Sequence, residues 1–285
     1  MDYSENHTYE IEIKNVQGHE VPLVTFPLLE QTGLVRAAFT TRQGGVSSGP
    51  YAQLNLGLGN EDARENIREN YRIAAQAMGC TEEDVVLSQQ THTTNVRVVT
   101  AEDRGKGTVR ERDYRDIDAL ITNVPGLLLT TLHADCTPLY FVDPVHRAIG
   151  LAHSGWRGTA DRMGACTLAA MHETYGTNPE DVMAAIGPVI SVRHYEIGPE
   201  VGAEFTKTFS EAFCYEQKIL TPGQGDRLML DLEQANRQVL MQAGILPEHL
   251  AVSGLCTFEH ADQFFSHRAV AGGKRGNCAA MMCLI

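Results

Sequence analysis

Residues 127–153 read LLLTTLHADCTPLYFVDPVHRAIGLAH. Leu, Val, Ile, Thr and aromatic side chains dominate, as suits a pleated and well-buried surface. The pattern predicts strands over 127–142 and 148–153. His133, Asp135 and Cys136 put an imidazole, a carboxylate and a thiol within four residues of that apolar run. Polar groups are costly in such surroundings unless they are paired or ligate something. The segment is therefore read both as framework and as a place for chemistry.

Outward from it, shorter strand-like runs fall at 21–29, 35–41, 96–100, 119–122, 182–186, 250–255 and 278–285. Helical spacing appears over 63–78, where Ile67, Tyr71, Ala74 and Ala75 share a face and Gly79 is a stop. Further helices are expected at 160–174, ending before Gly176, at 200–213, and at 232–243, ending at Gly244. A strand-rich middle flanked by helices implies an α+β fold, with mixed sheets covered by helices. No repeat, low-complexity tract or Pro/Ser-rich linker divides the chain. Residues 21–285 are read as one domain, preceded by a flexible N-terminus or first strand at 1–20.

The net charge of −13 over 285 residues argues against nucleic acid or an anionic membrane as a partner. Seven cysteines are an odd number in a chain too long to need a disulfide framework. The start MDYSENHTYE has neither a basic leader nor an apolar stretch, and no run is long enough to span a bilayer. A cytoplasmic protein with reduced thiols is expected.

Two more polar junctions border strand-like sequence: SQQTHTTNV at 88–96 and GLAHSGWRG at 150–158. The first carries His92 and the second His153. A thiolate with two imidazoles suits Zn2+, whose catalytic sites use three protein ligands and leave one position open. His92, Cys136 and His153 lie too far apart in sequence to make a short-range metal signature. From the residues alone, an inert buried Cys136 and histidines that are merely hydrogen-bonded stand as the alternative.

VRAAFTTRQGGVSSGPYAQLNL at 35–56, QQTHT at 89–93, ADCTPL at 134–139, GLAHSGWRG at 150–158, FFSHR at 264–268 and GGK at 272–274 occur in one order. This set resembles the motifs of the YfiH/YlmD-like laccase-domain family, once called multicopper polyphenol oxidases and later described as purine nucleoside phosphorylases with adenosine deaminase activity. The resemblance implies a four-layer α/β/β/α fold, shared with the deamidase domain of cytotoxic necrotizing factor. It places the metal ligands on His92, Cys136 and His153, and it implies Zn2+, with Cu2+ as the alternative. Purine nucleosides (inosine, adenosine, methylthioadenosine) and phosphate become the expected partners of a monomer or small homo-oligomer. The chain departs from the family at His133, where relatives often carry Thr. Ala269-Val270-Ala271 lacks the usual Arg-Asp-Gly, and Asn277 follows Gly276 where an Arg is usual.

Under that reading, phosphorolysis needs an anion cradle. Arg42, Gly44, Gly45, Ser47 and Ser48 offer a cation, approachable backbone N–H groups and hydroxyls; an ordinary glycine-rich loop is the alternative. Arg157 is a second anion candidate, or a surface ion pair. Asp135 is assigned either to proton handling or to orienting a ligand histidine. Orienting is preferred, because on a regular strand Asp135 and Cys136 face opposite sides. Trp156 either stacks on a purine or packs beneath its turn. Cys256, Cys278 and Cys283 are read as core, and residues 187–190 and 193–196 as a loop near the pocket. Three rival functions stay open: a copper-dependent polyphenol oxidase, although the chain has no His-x-His pair; a Cys136–His153 hydrolase or amidase, including one for peptidoglycan editing; and a non-catalytic binding module.

Overall fold

The computed structural model describes residues 8–59 and 61–285. Two six-stranded sheets form its centre. The first runs, in spatial order, Glu10–Val16, His19–Thr25, Val35–Thr40, Cys278–Leu284, Leu128–His133 and Val85–Leu87. The second runs Leu250–Val252, Met183–Ile186, Thr137–Asp143, Ala148–Ser154, Ala119–Thr122 and Val96–Val98. Both sheets are mixed: Val85–Leu87 pairs parallel with Leu128–His133, and Leu250–Val252 parallel with Met183–Ile186, among antiparallel neighbours.

The period-two alternation of the strands sorts side chains into three cores. From Cys278–Leu284, the side chains of Cys278, Ala280, Met282 and Leu284 enter the layer between the sheets. Ala279, Met281 and Cys283 face the opposite way, toward Ile67, Tyr71 and Ala74 of helix Arg64–Ala77. From Thr137–Asp143, Tyr140 and Val142 enter the shared layer. Leu139 and Phe141 instead meet Met163, Leu168 and Met171 of helix Met163–Tyr175 and Leu240 of helix Leu232–Gln242. The result is the expected order of helix, sheet, sheet, helix. A satellite core lies under a three-stranded sheet of Glu196–Ile197, Leu228–Leu230 and Leu220–Pro222 with helices Pro199–Phe209 and Glu211–Glu216. Among the described residues, no helix is long and apolar enough to cross a membrane.

The structure corrects the reading of 127–142 as one strand. Leu128–His133 belongs to the first sheet and Thr137–Asp143 to the second. The chain changes sheets at Ala134-Asp135-Cys136, where Asp135 adopts φ 85°, a left-handed conformation incompatible with a strand. Cys136 thereby sits at a seam between the sheets. The same kind of break splits two expected helices. Arg162 at φ 62° separates Trp156–Ala160 from Met163–Tyr175, and Ser210 at φ 65° separates Pro199–Phe209 from Glu211–Glu216. The expected first strand is Glu10–Val16, an edge strand paired with His19–Thr25 whose Ile11 and Ile13 are exposed. The stretch 1–7 of the expected flexible N-terminus lies outside the described residues. Cys256, Cys278 and Cys283 are buried, and all seven cysteines are free thiols.

Candidate metal centre

His92, Cys136 and His153 arrive from three separate elements. Antiparallel pairing of Thr137 with Ser154 and of Pro138 with His153 sets Cys136, just before its strand, beside the end of Ala148–Ser154. His92 comes from the loop after Val85–Leu87 and has φ 65°. One donor atom from each of the three lies within 4.8 Å of the others. Cys136 Sγ is 4.0 Å from His92 Nε2, and the two imidazoles meet edge-on with centroids 5.0 Å apart. A tetrahedral Zn2+ with ordinary Zn–N and Zn–S bonds spans N···S edges of about 3.6 Å, so the donors stand close to ligating distance. His153 is buried, Cys136 half-buried and His92 exposed, leaving the cluster open on one side.

The carboxylate that organises the cluster is Asp118. Its Oδ1 accepts from His153 Nδ1 at 2.9 Å and from the His92 backbone N–H at 3.1 Å. Its Oδ2 accepts from the N–H groups of Thr91 and Thr93, both at 3.0 Å, and from the Thr93 hydroxyl at 3.1 Å. The loop bearing His92 is thus wound around one buried anion, while the same anion fixes the tautomer that turns His153 Nε2 toward Cys136. Burial opposes the charge on Asp118, but the His153 and backbone hydrogen bonds outweigh it and hold its pKa below the usual value. Sequence reasoning missed this residue. Its signal was a carboxylate directly abutting the apolar run 119–122, the same cue that singled out residues 133–136.

The expected orienting role of Asp135 therefore falls to Asp118. Asp135 turns the other way: its Oδ1 accepts from the Thr257 hydroxyl at 2.6 Å and its Oδ2 from the Arg268 N–H at 2.7 Å, pinning two loops. The strand geometry that underlay the expectation is absent at φ 85°. His133 is buried beside the cluster. Its Nδ1 donates to the Cys136 carbonyl at 3.0 Å, and its Nε2 accepts from the Thr131 hydroxyl at 2.8 Å. Burial holds its pKa well below the usual histidine value, so this neutral ring braces the backbone at Cys136 and has no nitrogen left for a metal.

The proposed cradle lies apart from the cluster. Arg42, Gly44, Gly45 and Ser47 line a hollow that shares no residue with the one beside Cys136. Arg42 donates to the Ala52 and Ala261 carbonyls, both at 2.8 Å. The Gly44 and Val46 N–H groups bond Gln53 and Asn70 side chains, and the Ser47 hydroxyl bonds Asp62. These donors hold the loop together; Ser48 is exposed nearby. Arg157 is exposed and stacks over Trp156, which packs on the satellite core.

In the free cluster, burial raises the Cys136 pKa, but the charge and hydrogen bonds of His153 and His92 overcome it and bring the thiol down to about 6. His153 moves oppositely: burial lowers it, yet Cys136 and Asp118 raise it to about 9. Near neutrality the metal-free pair is thiolate and imidazolium, the form that a metal converts by displacing the His153 proton. Iodoacetamide alkylation of Cys136 in metal-free protein is expected to rise through a midpoint near pH 6, and Zn2+ is expected to block it. Peptide mapping of the alkylated chain against pH checks both; a midpoint near that of an ordinary thiol would contradict the geometry.

Gly155 closes the site. A Cβ there would lie 2.8 Å from His92 Cδ2 and 3.1 Å from Cys136 Sγ. Its backbone, at φ −73° and ψ −179°, is open to any residue, so the constraint is steric and local. Gly155→Ala is expected to keep the melting temperature within a few degrees while weakening Zn2+ binding by about tenfold, the range seen when ligand placement is disturbed. Competition with a chelator measures it; unchanged affinity would mean that the ligands are not held in this triangle.

Residues 36–285 match the family described as "Multi-copper polyphenol oxidoreductase laccase". Among similar proteins is the purine nucleoside phosphorylase YlmD of Bacillus subtilis, 37% identical over 243 residues and covering 84% of each chain. Another is a purine nucleoside phosphorylase of Deinococcus radiodurans, 41% identical over 247 residues, covering 86% of this chain and 88% of that one. The crystal structure of YlmD from Geobacillus stearothermophilus superimposes with a TM-score of 0.87 at 31% identity, covering 98% of this chain and 99% of that one. The Bacillus licheniformis hypothetical protein YfiH does so with a TM-score of 0.86 at 33% identity, covering 92% and 96%.

Proposed function

The chain belongs to the multi-copper polyphenol oxidoreductase laccase family, which includes the YlmD and YfiH proteins, and on that premise we propose that it is a zinc-dependent purine nucleoside phosphorylase with adenosine deaminase activity, acting in the cytoplasm. The observation that carries the reading is the His92–Cys136–His153 triangle, braced by Asp118 and open on one side, in a chain similar to named purine nucleoside phosphorylases. Two imidazoles and a thiolate suit Zn2+. When bound, the ion supplies Lewis-acid polarisation.

The residues of the chain perform the remaining tasks. Phosphorolysis forms a bond from a phosphate oxygen to the sugar C1′ and breaks the bond from C1′ to the purine nitrogen. The electron pair leaves with the base, which then takes up a proton. A hollow of about 300 Å³ beside the cluster receives the substrates. Asp118 keeps His153 in the tautomer that leaves Nε2 free, and His133 fixes the Cys136 backbone. A multicopper oxidase reading lacks the paired histidines of a multi-ion centre: the triangle is the single His/Cys/Asp/Glu cluster of this kind among the described residues. Product analysis on zinc-loaded protein tests the proposal. Inosine is expected to give hypoxanthine and ribose 1-phosphate only when phosphate is present, and adenosine to give inosine without it. No phosphate-dependent release of base from either nucleoside would overturn it.

A further inference from the structure

We propose that Arg112 and Arg275 form the subsite for inorganic phosphate, in the hollow that opens beside His92, Cys136 and His153; this assignment rests on the phosphorylase reading. Both arginines line that hollow, and no Asp or Glu is among its lining residues. The chain carries 13 more acidic than basic side chains, and several other arginines are matched to carboxylates: Arg97 to Asp103, Arg104 to Asp84, Arg193 to Glu259. Among the described residues, Arg112 and Arg275 bond only neutral oxygens. Arg112 Nη1 donates to the Ser88 carbonyl, and Arg275 Nη1 to the Gly276 carbonyl at 3.1 Å and to Asn277 Oδ1 at 3.2 Å. These bonds aim each guanidinium and leave most of its five N–H groups unspent.

Arg275 makes no direct ion pair, and burial pulls its pKa down further than the fields of Asp135 and Cys136 raise it. Arg275 Nε, a donor on a residue that lines this hollow, is buried without any hydrogen-bond partner. An oxyanion satisfies this arrangement: guanidinium forks match tetrahedral phosphate oxygens, and two of them neutralise its charge. The phosphate oxygen that attacks C1′ would then start beside the cluster. The loop at 42–49, by contrast, spends these donors on Ala52, Ala261, Gln53 and Asp62.

The test uses the full zinc-loaded chain with Arg112→Gln and Arg275→Gln. Each is expected to raise the KM for phosphate by about tenfold or more, with nucleoside KM and bound zinc nearly unchanged. Calorimetric titration of the unsubstituted protein with inorganic phosphate, in the absence of nucleoside, is expected to show binding that both substitutions weaken. Arg275→Lys, which keeps the charge but not the fork, is expected to fall between. Arg112 holds a single backbone carbonyl, so Arg112→Gln keeps the question open should Arg275→Gln fail to fold. If zinc-loaded protein cleaves no nucleoside with phosphate, the phosphorylase reading fails, while the titration still decides the subsite. Phosphate affinity unchanged in Arg112→Gln and Arg275→Lys, or lost instead in Ser48→Ala, would overturn the assignment.

Discussion

Replacing Cys136 with alanine is expected to remove both the bound metal and the turnover. The thiolate is the one anionic donor in the cluster, and without it two imidazoles remain, one of them exposed. The loss of zinc affinity should exceed the roughly 10- to 100-fold that follows loss of a partner outside the ligand set, and kcat/KM should fall by about three orders of magnitude or more. The fold should tolerate the change. Cys136 is half-buried, and its side chain belongs to none of the apolar cores, which continue on both sides through Leu129 and Leu139. Metal content by mass spectrometry, a melting curve and nucleoside turnover on one preparation separate these effects. A metal-free Cys136→Ala protein that still cleaves inosine with phosphate would remove the centre from the mechanism. The same variant separates a metal centre from a thiol nucleophile. A nucleophilic Cys136 predicts a covalent intermediate trapped with substrate and reactivity at residue 136 unaffected by Zn2+.

The fold was legible where burial imposes a regular period. Arg64–Ala77 falls within a residue of its expected limits, since its apolar positions repeat at 3.6 over enough residues to be unambiguous, and Ala119–Thr122 matches its limits as a short run buried on both faces. The run 127–142 misled because strand-forming residues flank Ala134-Asp135-Cys136 on both sides, and two strands buried on both faces read as one whether or not the chain changes sheets between them. The change is made by a single left-handed residue, Asp135, whose carboxylate is satisfied by Thr257 and Arg268 far along the chain. Nothing local announces such a partner. Val85–Leu87 is three residues long, too short to show alternation. For the site, the donor types left His92, Cys136 and His153 as one of two readings, the family resemblance placed the ligands on them, and the sheet register sets Cys136 beside His153. The glycine-rich segment at 42–49 looked like an anion cradle because composition reports which donors exist, not which are already engaged. Asp118 and the two arginines escaped notice for the converse reason. Their significance lies in what surrounds them in space.

Asp118→Asn is expected to weaken zinc binding by about 10- to 100-fold and to cost on the order of 2–4 kcal/mol of stability, since several hydrogen bonds to a buried charge are worth roughly 1.5–3 kcal/mol each and part of the set survives. Asp118 is fully buried, and all its acceptor capacity is used. Asparagine offers one carbonyl oxygen and one NH2. If the NH2 replaces Oδ1, it donates to His153 Nδ1 and drives the ring proton to Nε2, where it blocks ligation. If it replaces Oδ2, the N–H groups of Thr91 and Thr93 face a donor, and the turn that holds His92 at φ 65° loosens. Either orientation disables a ligand, so no amide flip rescues the variant. Loss of the Asp118 charge should also lower the His153 pKa from about 9 and, through it, raise that of Cys136 from about 6. The alkylation midpoint then moves up in step with the loss of metal, which a merely unstable protein would not show. Asp135→Asn supplies the contrast, because its contacts run to Thr257 and Arg268 and to neither ligand histidine. It should loosen those loops while leaving zinc affinity near that of the unsubstituted chain. Equal loss of zinc from both variants would mean that His153 is not oriented through Asp118.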